Sequence, residues 1–102
     1  MYRASDEVAN EAWLATLDEA AERLDLSADA RSRAADLFLS TVPSEDRSKK
    51  PALAAAIYVA TLTTSEGRSQ GDVADAVGVS RLSVQQRWKE LMEEAGLEPP
   101  SW

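Results

Sequence analysis

The chain has 102 residues, carries a net charge of −7 and contains neither cysteine nor histidine. This composition excludes disulfides, metal sites with thiolate or imidazole ligands, and catalysis by cysteine or histidine, so we expect a protein that is not an enzyme and needs no cofactor. The length predicts one domain over residues 1–102, and the lack of a long apolar run or signal peptide predicts a cytoplasmic protein with no membrane partner.

The first half of the chain predicts two amphipathic helices. Ser5 is the expected N-cap of a helix over about residues 5–25, in which apolar residues recur at helical spacing. Ser27 is the expected cap of a second helix, over about residues 27–42. The polar face of the first helix is acidic and is interpreted either as solvated surface or as a patch for a basic partner. Its acids are Glu11, Asp18, Glu19 and Glu22.

An alanine-rich segment predicts the central helix of the fold. Ala52–Leu62 is apolar almost all round, as in a helix that is buried on most sides. Proline suits the first turn of a helix, so Pro51 predicts a helix over about residues 51–64. The polar run Ser44–Lys50 is then a loop, and Glu66–Gly67 is the stop.

The last part of the chain predicts two helices joined by a tight turn, over about residues 69–77 and 80–95. Ser69 caps the first of them and Gly78 ends it, Val79 packs into the turn, and Ser80 caps the second, in an order typical of a helix-turn-helix. Gly96 is the expected stop of the second helix. The residues expected to face inward are Val73, Ala74, Val77, Val84, Trp88 and Leu91. Residues 97–102 are expected to form a C-terminal tail.

Charge is distributed unevenly along the chain. Residues 1–46 contain eleven acidic and four basic residues, whereas residues 47–102 contain seven of each. Residues 68–89 contain four basic and two acidic residues. Phosphate contacts supply most non-specific affinity for DNA, so repulsion of DNA is concentrated in the first half. A second basic run precedes the central helix and suits either a phosphate or solvent: Arg47, Lys49 and Lys50.

Several short motifs follow the segment PALAAAIYVATL along the last two predicted helices. They are Ser69-Gln70, Val73-Ala74, Gly78-Val79-Ser80, Ser83-Val84-Gln85 and Arg87-Trp88-Lys89-Glu90-Leu91. In this order and spacing they resemble the second cyclin-like core repeat of archaeal transcription factor B, the counterpart of eukaryotic TFIIB. The resemblance is clear over residues 31–91. It implies an all-α, five-helix cyclin-like bundle that ends in a helix-turn-helix.

The departures from this family shape the expected function. A complete factor carries a zinc ribbon and a second repeat, whereas this chain lacks cysteine and has room for one repeat. We therefore expect a stand-alone relative that acts as a transcription regulator or accessory factor. The acidic, lysine-poor composition favours a protein kept soluble in high salt, hence a haloarchaeal source, over an ordinary acidic domain. The resemblance also aligns the family's promoter-reading arginine with Gln85, so the base that is read has changed or reading has been lost.

The outward face of the last helix supplies the expected DNA contacts. The first turns of a recognition helix meet base edges in the major groove. Gln85 and Gln86 suit adenine, Leu82 suits a thymine methyl group and Arg81 suits guanine. The other expected contacts, mainly to phosphates, are Arg68, Gln70, Ser80, Ser83 and Lys89.

The same residues also have plainer interpretations. Glutamine is common on solvated helix faces. Arg81 and Arg87 can pair with Asp75 or Glu90, and Leu82 can pack under the preceding helix or mark a protein interface. The alternative function is a protein-interaction module of the transcription machinery that does not bind DNA. Its partner would be the TATA-binding protein, a polymerase subunit or another regulator, and we expect no small-molecule substrate.

Overall fold

Five α-helices and short loops make up residues 10–97, which are the residues described by the computed structural model. The helices are α1 Glu11–Arg23, α2 Ala28–Thr41, α3 Asp46–Thr63, α4 Gln70–Val77 and α5 Arg81–Glu94. Helix α3 lies at the centre and contacts each of the other four. The all-α architecture predicted from the sequence is confirmed. Within residues 10–97, none of the helices is both long and apolar enough to cross a membrane.

The alanine-rich part of α3 is buried on every side, as its composition predicts. Every residue from Ala52 to Thr61 is buried, and Leu53 and Ile57 have no exposed surface. Small alanine side chains let the neighbouring helices approach closely, which raises the packing density around α3. The buried Thr61 hydroxyl donates a hydrogen bond to the Tyr58 carbonyl at 2.7 Å, so this polar group is satisfied inside the core.

Helix α1 is shorter than the predicted helix over residues 5–25. Asn10 precedes it with non-helical dihedral angles (φ −114°, ψ 20°), and its carbonyl accepts the Leu14 N–H at 3.0 Å. The helix therefore begins at Glu11, whose carboxylate in the first turn is favoured by the helix dipole. At the other end, Asp25 takes a left-handed conformation (φ 55°), so the helix stops at Arg23. The predicted Ser5 cap lies outside the described residues, as does the predicted tail beyond residue 97.

Helix α3 begins five residues before Pro51, so the predicted loop over Ser44–Lys50 is wrong for residues 46–50. The first turn starts at Asp46, where a carboxylate is favoured by the helix dipole. Lys49 Nζ lies 3.2 Å from Asp46 Oδ1 and joins the ends of that turn. Pro51 therefore lies inside the helix, where it removes the N–H that would bond to the Arg47 carbonyl. Proline and a carboxylate both suit a first turn, and here the carboxylate of Asp46 marks the start.

The end of α3 also differs from its prediction, which used Glu66–Gly67 as the stop. The helix ends at Thr63, and Ser65 adopts the left-handed conformation with φ 60°. The Glu66 N–H then donates back to the Thr61 carbonyl at 3.0 Å and closes the end of the helix. Glycine is the usual residue in a left-handed stop, so a serine at this position did not indicate the end of the helix.

The loop between α3 and α4 is tied to the turn between α1 and α2. The backbone N–H of Ser27 donates to Glu66 Oε1 at 2.9 Å, and the Ser27 hydroxyl donates to Glu66 Oε2. Arg68 Nε donates to the Leu24 carbonyl at 3.0 Å, and its Nη2 donates to the Asp25 carbonyl at 3.3 Å. These bonds join residues 39 to 44 positions apart. They fix the point from which α4 starts.

We expect Glu66→Gln to destabilise the protein at neutral pH but not in acid. The Ser27 hydroxyl, the Ser27 N–H and the nearby Arg68 charge, in that order, lower the pKa of Glu66. A lowered folded-state pKa stabilises the fold above the unfolded pKa, and this contribution is lost as the pH falls through the folded-state pKa. Urea unfolding at stepped pH should therefore show the difference between the two proteins shrinking below about pH 4.

The control is Glu22→Gln, which removes a carboxylate from the exposed face of α1. A Glu66→Gln deficit that stays constant from neutral pH into acid would contradict the linkage to this carboxylate.

Candidate nucleic-acid interface

Helices α4 and α5 are joined by the turn Gly78–Val79–Ser80, and we refer to the whole as the α4–α5 unit. Helix α4 begins where the Ser69 hydroxyl accepts the Asp72 N–H at 3.0 Å. Helix α5 begins where the Ser80 hydroxyl accepts the Ser83 N–H at 3.2 Å. Both predicted caps are confirmed, since each depends only on residues within one turn of the helix.

Gly78 sets the direction in which the chain leaves α4. Its φ of 89° lies in the left-handed region, and its N–H donates to the Ala74 carbonyl at 2.8 Å. The Val79 N–H donates to the same carbonyl at 3.0 Å, and the Val79 side chain packs against the core. Valine in this position holds the turn against the body, as predicted.

The inner side of the α4–α5 unit is anchored in the core. The buried residues are those predicted from helical spacing: Val73, Ala74, Val77, Val84, Trp88 and Leu91, together with Met92. The Trp88 ring meets the Tyr58 ring of α3 edge to face, with centroids 5.5 Å apart and planes at 78°. Helix α5 therefore has a fixed orientation relative to α3, which leaves its opposite side facing solvent.

That opposite side carries most of the predicted DNA contacts. Within residues 10–97, Leu82 is the large apolar side chain left exposed, at 61%. This exposure rules out the alternative in which it packs under α4. Arg81, Gln85, Gln86 and Lys89 are also exposed, whereas Ser83 is half-buried with its hydroxyl 2.9 Å from that of Ser80. Seven of the nine predicted contacts therefore lie on α5 or at its cap.

The three cations of α5 have separate surroundings. Arg81 lines an open recess together with Tyr58, Ser69 and Gln70. Lys89 Nζ lies 5.4 Å from the centre of the Trp88 ring, within reach of a cation–π interaction. Arg87 lines a groove on another side of α5, with Thr41, Glu90 and Glu94 among its neighbours.

Ion pairs do not occupy the α5 arginines in the described part of the chain. The ion pairs between residues 10 and 97 are Arg47–Glu45 at 3.0 Å and Lys49–Asp46 at 3.2 Å. Neither Arg81 nor Arg87 has a carboxylate within pairing distance there. The expected pairings with Asp75 or Glu90 are therefore absent from residues 10–97.

The two remaining predicted contacts, Arg68 and Gln70, lie away from the exposed face of α5. Besides the Leu24 and Asp25 carbonyls, the Arg68 guanidinium reaches those of Glu66 and Gly67. Gln70 is half-buried in the first turn of α4, and its buried Oε1 atom has no hydrogen-bond partner within residues 10–97. Arg68 thus has a structural role that its position beside the predicted helix-turn-helix did not indicate.

Lys50 reaches the α4–α5 unit from a distant part of the chain. A Cβ atom placed on Gly78 would lie 3.3 Å from Lys50 Nζ, so this ammonium group lies directly over the turn. Of the basic run before the central helix, Arg47 and Lys49 are paired with acids, whereas Lys50 is exposed. The sequence left Lys50 with either a phosphate or solvent as its surroundings, and the packing of α3 against the unit brings it to the turn.

The geometry defines the class of the protein: an all-α, cyclin-like bundle whose last helix is anchored on one side and exposed on the other. The family model for the transcription factor TFIIB repeat matches residues 10–94. The chain belongs to this family, as its sequence motifs predicted.

Similar proteins are found among archaeal transcription initiation factors. The chain is 37% identical to transcription initiation factor IIB of Pyrococcus abyssi over 83 residues, which is 78% of this chain and 28% of that protein. It is 32% identical to transcription initiation factor IIB of Methanothrix thermoacetophila over 78 residues, or 74% of this chain and 23% of that protein. It is 35% identical to transcription initiation factor IIB 1 of Thermoplasma volcanium, again over 78 residues. The chain thus spans between 23% and 28% of the length of these relatives.

Proposed function

We propose that this chain is a transcription regulator or accessory factor that binds duplex DNA by placing α5 in the major groove. Helices α4 and α5 would act together as a helix-turn-helix. The observation that carries this proposal is the two-sided character of α5: Trp88 is 3% exposed and held by α3, whereas Leu82 on the other side is 61% exposed. A helix fixed in this way presents its first turns as a rigid unit, as base contacts require. The similarity to proteins named transcription initiation factors supports a role in transcription initiation.

The charges near the α4–α5 unit support the same orientation on DNA. Cations for phosphates on both sides of the helix are supplied by Lys50 over the turn, Arg81 at the start of α5 and Lys89 about two turns later. Arg68 holds the start of α4 in this proposal, and Gln70, Ser80 and Ser83 are expected contacts at the helix ends.

An NMR titration with a random-sequence duplex tests DNA binding directly. At about 50 mM salt we expect amide shifts concentrated in residues 80–89 and at Lys50. Because counterion release drives phosphate contacts, these shifts should weaken steeply at about 300 mM salt. A protein whose α5 amides stay unmoved by duplex DNA at the lower salt concentration would refute the proposal.

Arg81→Ala should weaken duplex binding without unfolding the protein. Arg81 is exposed and has no ion pair within residues 10–97, so its removal deletes a DNA contact rather than a structural one. We expect about a 5- to 150-fold loss of affinity and a salt-dependence slope smaller by about one. Fluorescence anisotropy at several salt concentrations measures both.

Arg33→Ala is the matched control, since it removes one exposed arginine from α2. Equal losses for the two variants would show that net charge alone, not the α5 surface, governs binding.

The alternative is a protein-interaction module, favoured by the exposed acids Glu11, Asp18, Glu19 and Glu22 of α1. Their charge suits a basic partner surface. A titration with the TATA-binding protein that shifts α1 amides, together with the absence of any DNA effect, would favour this function over DNA binding. Reversing one charge with Asp18→Lys should then weaken that interaction.

A further inference from the structure

We propose that α5 recognises A·T base pairs through a patch formed by Leu82, Gln85 and Gln86, which we name the reading patch. This inference rests on the proposed binding of duplex DNA and adds the class of sequence that is bound. It follows from which side chains of α5 face solvent and from where the cations of the same helix lie.

Leu82 supplies the apolar part of the reading patch. It is the second residue of α5 and is 61% exposed, because it lies on the side of the helix that faces away from the core. In the major groove the apolar group on a base edge is the C5 methyl group of thymine. Contact with this methyl group would remove apolar surface of both groups from water, whereas guanine and cytosine edges present polar groups that would lose hydration against leucine.

Gln85 and Gln86 supply the polar part. Both are exposed, and they follow Leu82 by three and four residues, so their Cβ atoms lie roughly 5–6 Å from its own on the helix surface. A glutamine side chain offers one donor and one acceptor side by side, which matches the N6 and N7 atoms of adenine. Adenine and thymine of one or two adjacent pairs lie within the span of these side chains. The patch therefore fits A·T pairs with both of its chemical groups.

The cations of α5 that would favour guanine have other surroundings. Guanine presents only acceptors in the major groove and is read mainly by arginine or lysine. Arg81 lines the recess with Tyr58, Ser69 and Gln70, beside the N-terminus of α4, where a backbone phosphate fits better than a base edge. Arg87 lies in the groove that also contains Thr41 and Glu94, and Lys89 Nζ lies over the Trp88 ring. The side chains that remain to contact base edges are therefore Leu82, Gln85 and Gln86.

Selection from a random duplex library gives the first test. The full chain should retain duplexes enriched in consecutive A·T pairs. Retention of DNA without enrichment, or with enrichment of G·C pairs, would overturn the inference while leaving the DNA-binding proposal intact. Failure to retain any duplex at low salt would refute DNA binding itself, and the A·T inference with it.

Substitution of uracil for thymine in an enriched duplex gives the second test, because uracil lacks only the methyl group. We expect about fourfold weaker binding for each contacted methyl group that is removed, from the transfer free energy of one methylene-sized group. Leu82→Ala should bind the thymine and uracil duplexes equally. A wild-type protein that does not distinguish the two duplexes, or a Leu82→Ala protein that still does, would overturn the assignment of Leu82.

Exchange of one amide for a cation gives the third test. Gln85→Arg should shift the preference from A·T towards G·C at one position, by roughly 5- to 150-fold in relative affinity. Glu22→Gln changes the net charge by the same amount on α1 and should leave the base preference as it is. Equal preferences in wild type and Gln85→Arg would overturn the role given to Gln85.

Discussion

Trp88→Ala should lower the free energy of unfolding by about 3–5 kcal/mol, the usual loss when a large buried aromatic side chain is removed from a core. Trp88 is 3% exposed, and its ring contacts that of Tyr58 edge to face at 5.5 Å. The substitution removes apolar contacts between α3 and α5 and leaves a cavity between them. A domain of this size has about 5–15 kcal/mol of stability in total, so a large part of it would be lost.

Urea unfolding followed by circular dichroism measures this loss without depending on tryptophan fluorescence. Gln86→Ala is the matched control: it lies two residues away in α5, is exposed, and should change stability by less than about 0.5 kcal/mol. Trp88→Phe keeps an aromatic ring in place and should lie between the two. A Trp88→Ala protein within about 1 kcal/mol of wild type would show that α5 is not anchored through this ring.

Gly78→Ala should destabilise the protein by about 1–2 kcal/mol, because an L-residue disfavours the left-handed region. Gly78 has φ 89°, and a Cβ atom placed there would approach Lys50 Nζ to 3.3 Å. Part of the effect therefore depends on whether this lysine side chain moves aside. Since the residue sets the direction between α4 and α5, the same substitution should also disturb the proposed DNA surface.

Gly67→Ala is the control for Gly78, because a Cβ atom at Gly67 would meet no atom within 4 Å and its φ is not positive. The exchange should be neutral or stabilise the protein by up to about 1 kcal/mol, through the smaller entropy of the unfolded chain. Thermal unfolding of both variants compares the two glycines. Equal stabilities for Gly78→Ala and Gly67→Ala would contradict the assigned conformation of the turn.

Features that depend on neighbouring residues were readable in the sequence. The caps Ser69 and Ser80 bond to N–H groups three residues ahead, and the inward stripe of α5 repeats every three to four residues. Gly78 and Gly96 both take positive φ, as their places after predicted helices indicated. These signals operate within about one helical turn, so the order of residue types specifies them. The same local order also carried the family resemblance, which the match over residues 10–94 confirms.

The two mispredicted ends of α3 lie where the sequence offers more than one start or stop signal. Pro51 allowed a helix start at its own position, but the carboxylate of Asp46 and its pair with Lys49 stabilise a start one turn and a half earlier. At the other end, Ser65 rather than Gly67 takes the left-handed conformation. Each case offered two sites with similar local preference, so signals within one turn did not distinguish between them.

The sequence by itself determined the all-α class, the central position of the alanine-rich helix and the side of α5 that faces solvent, because periodicity and capping act within a turn. Only the tertiary structure decided the roles of Arg68 and Lys50. Arg68 donates to the Leu24 carbonyl 44 positions away, and Lys50, near the start of α3, lies over Gly78 at the end of α4. Such contacts arise from how the five helices pack, and no spacing along the chain encodes them. The proposed DNA surface therefore combines a helix predictable from its own residues with neighbours that only packing brings to it.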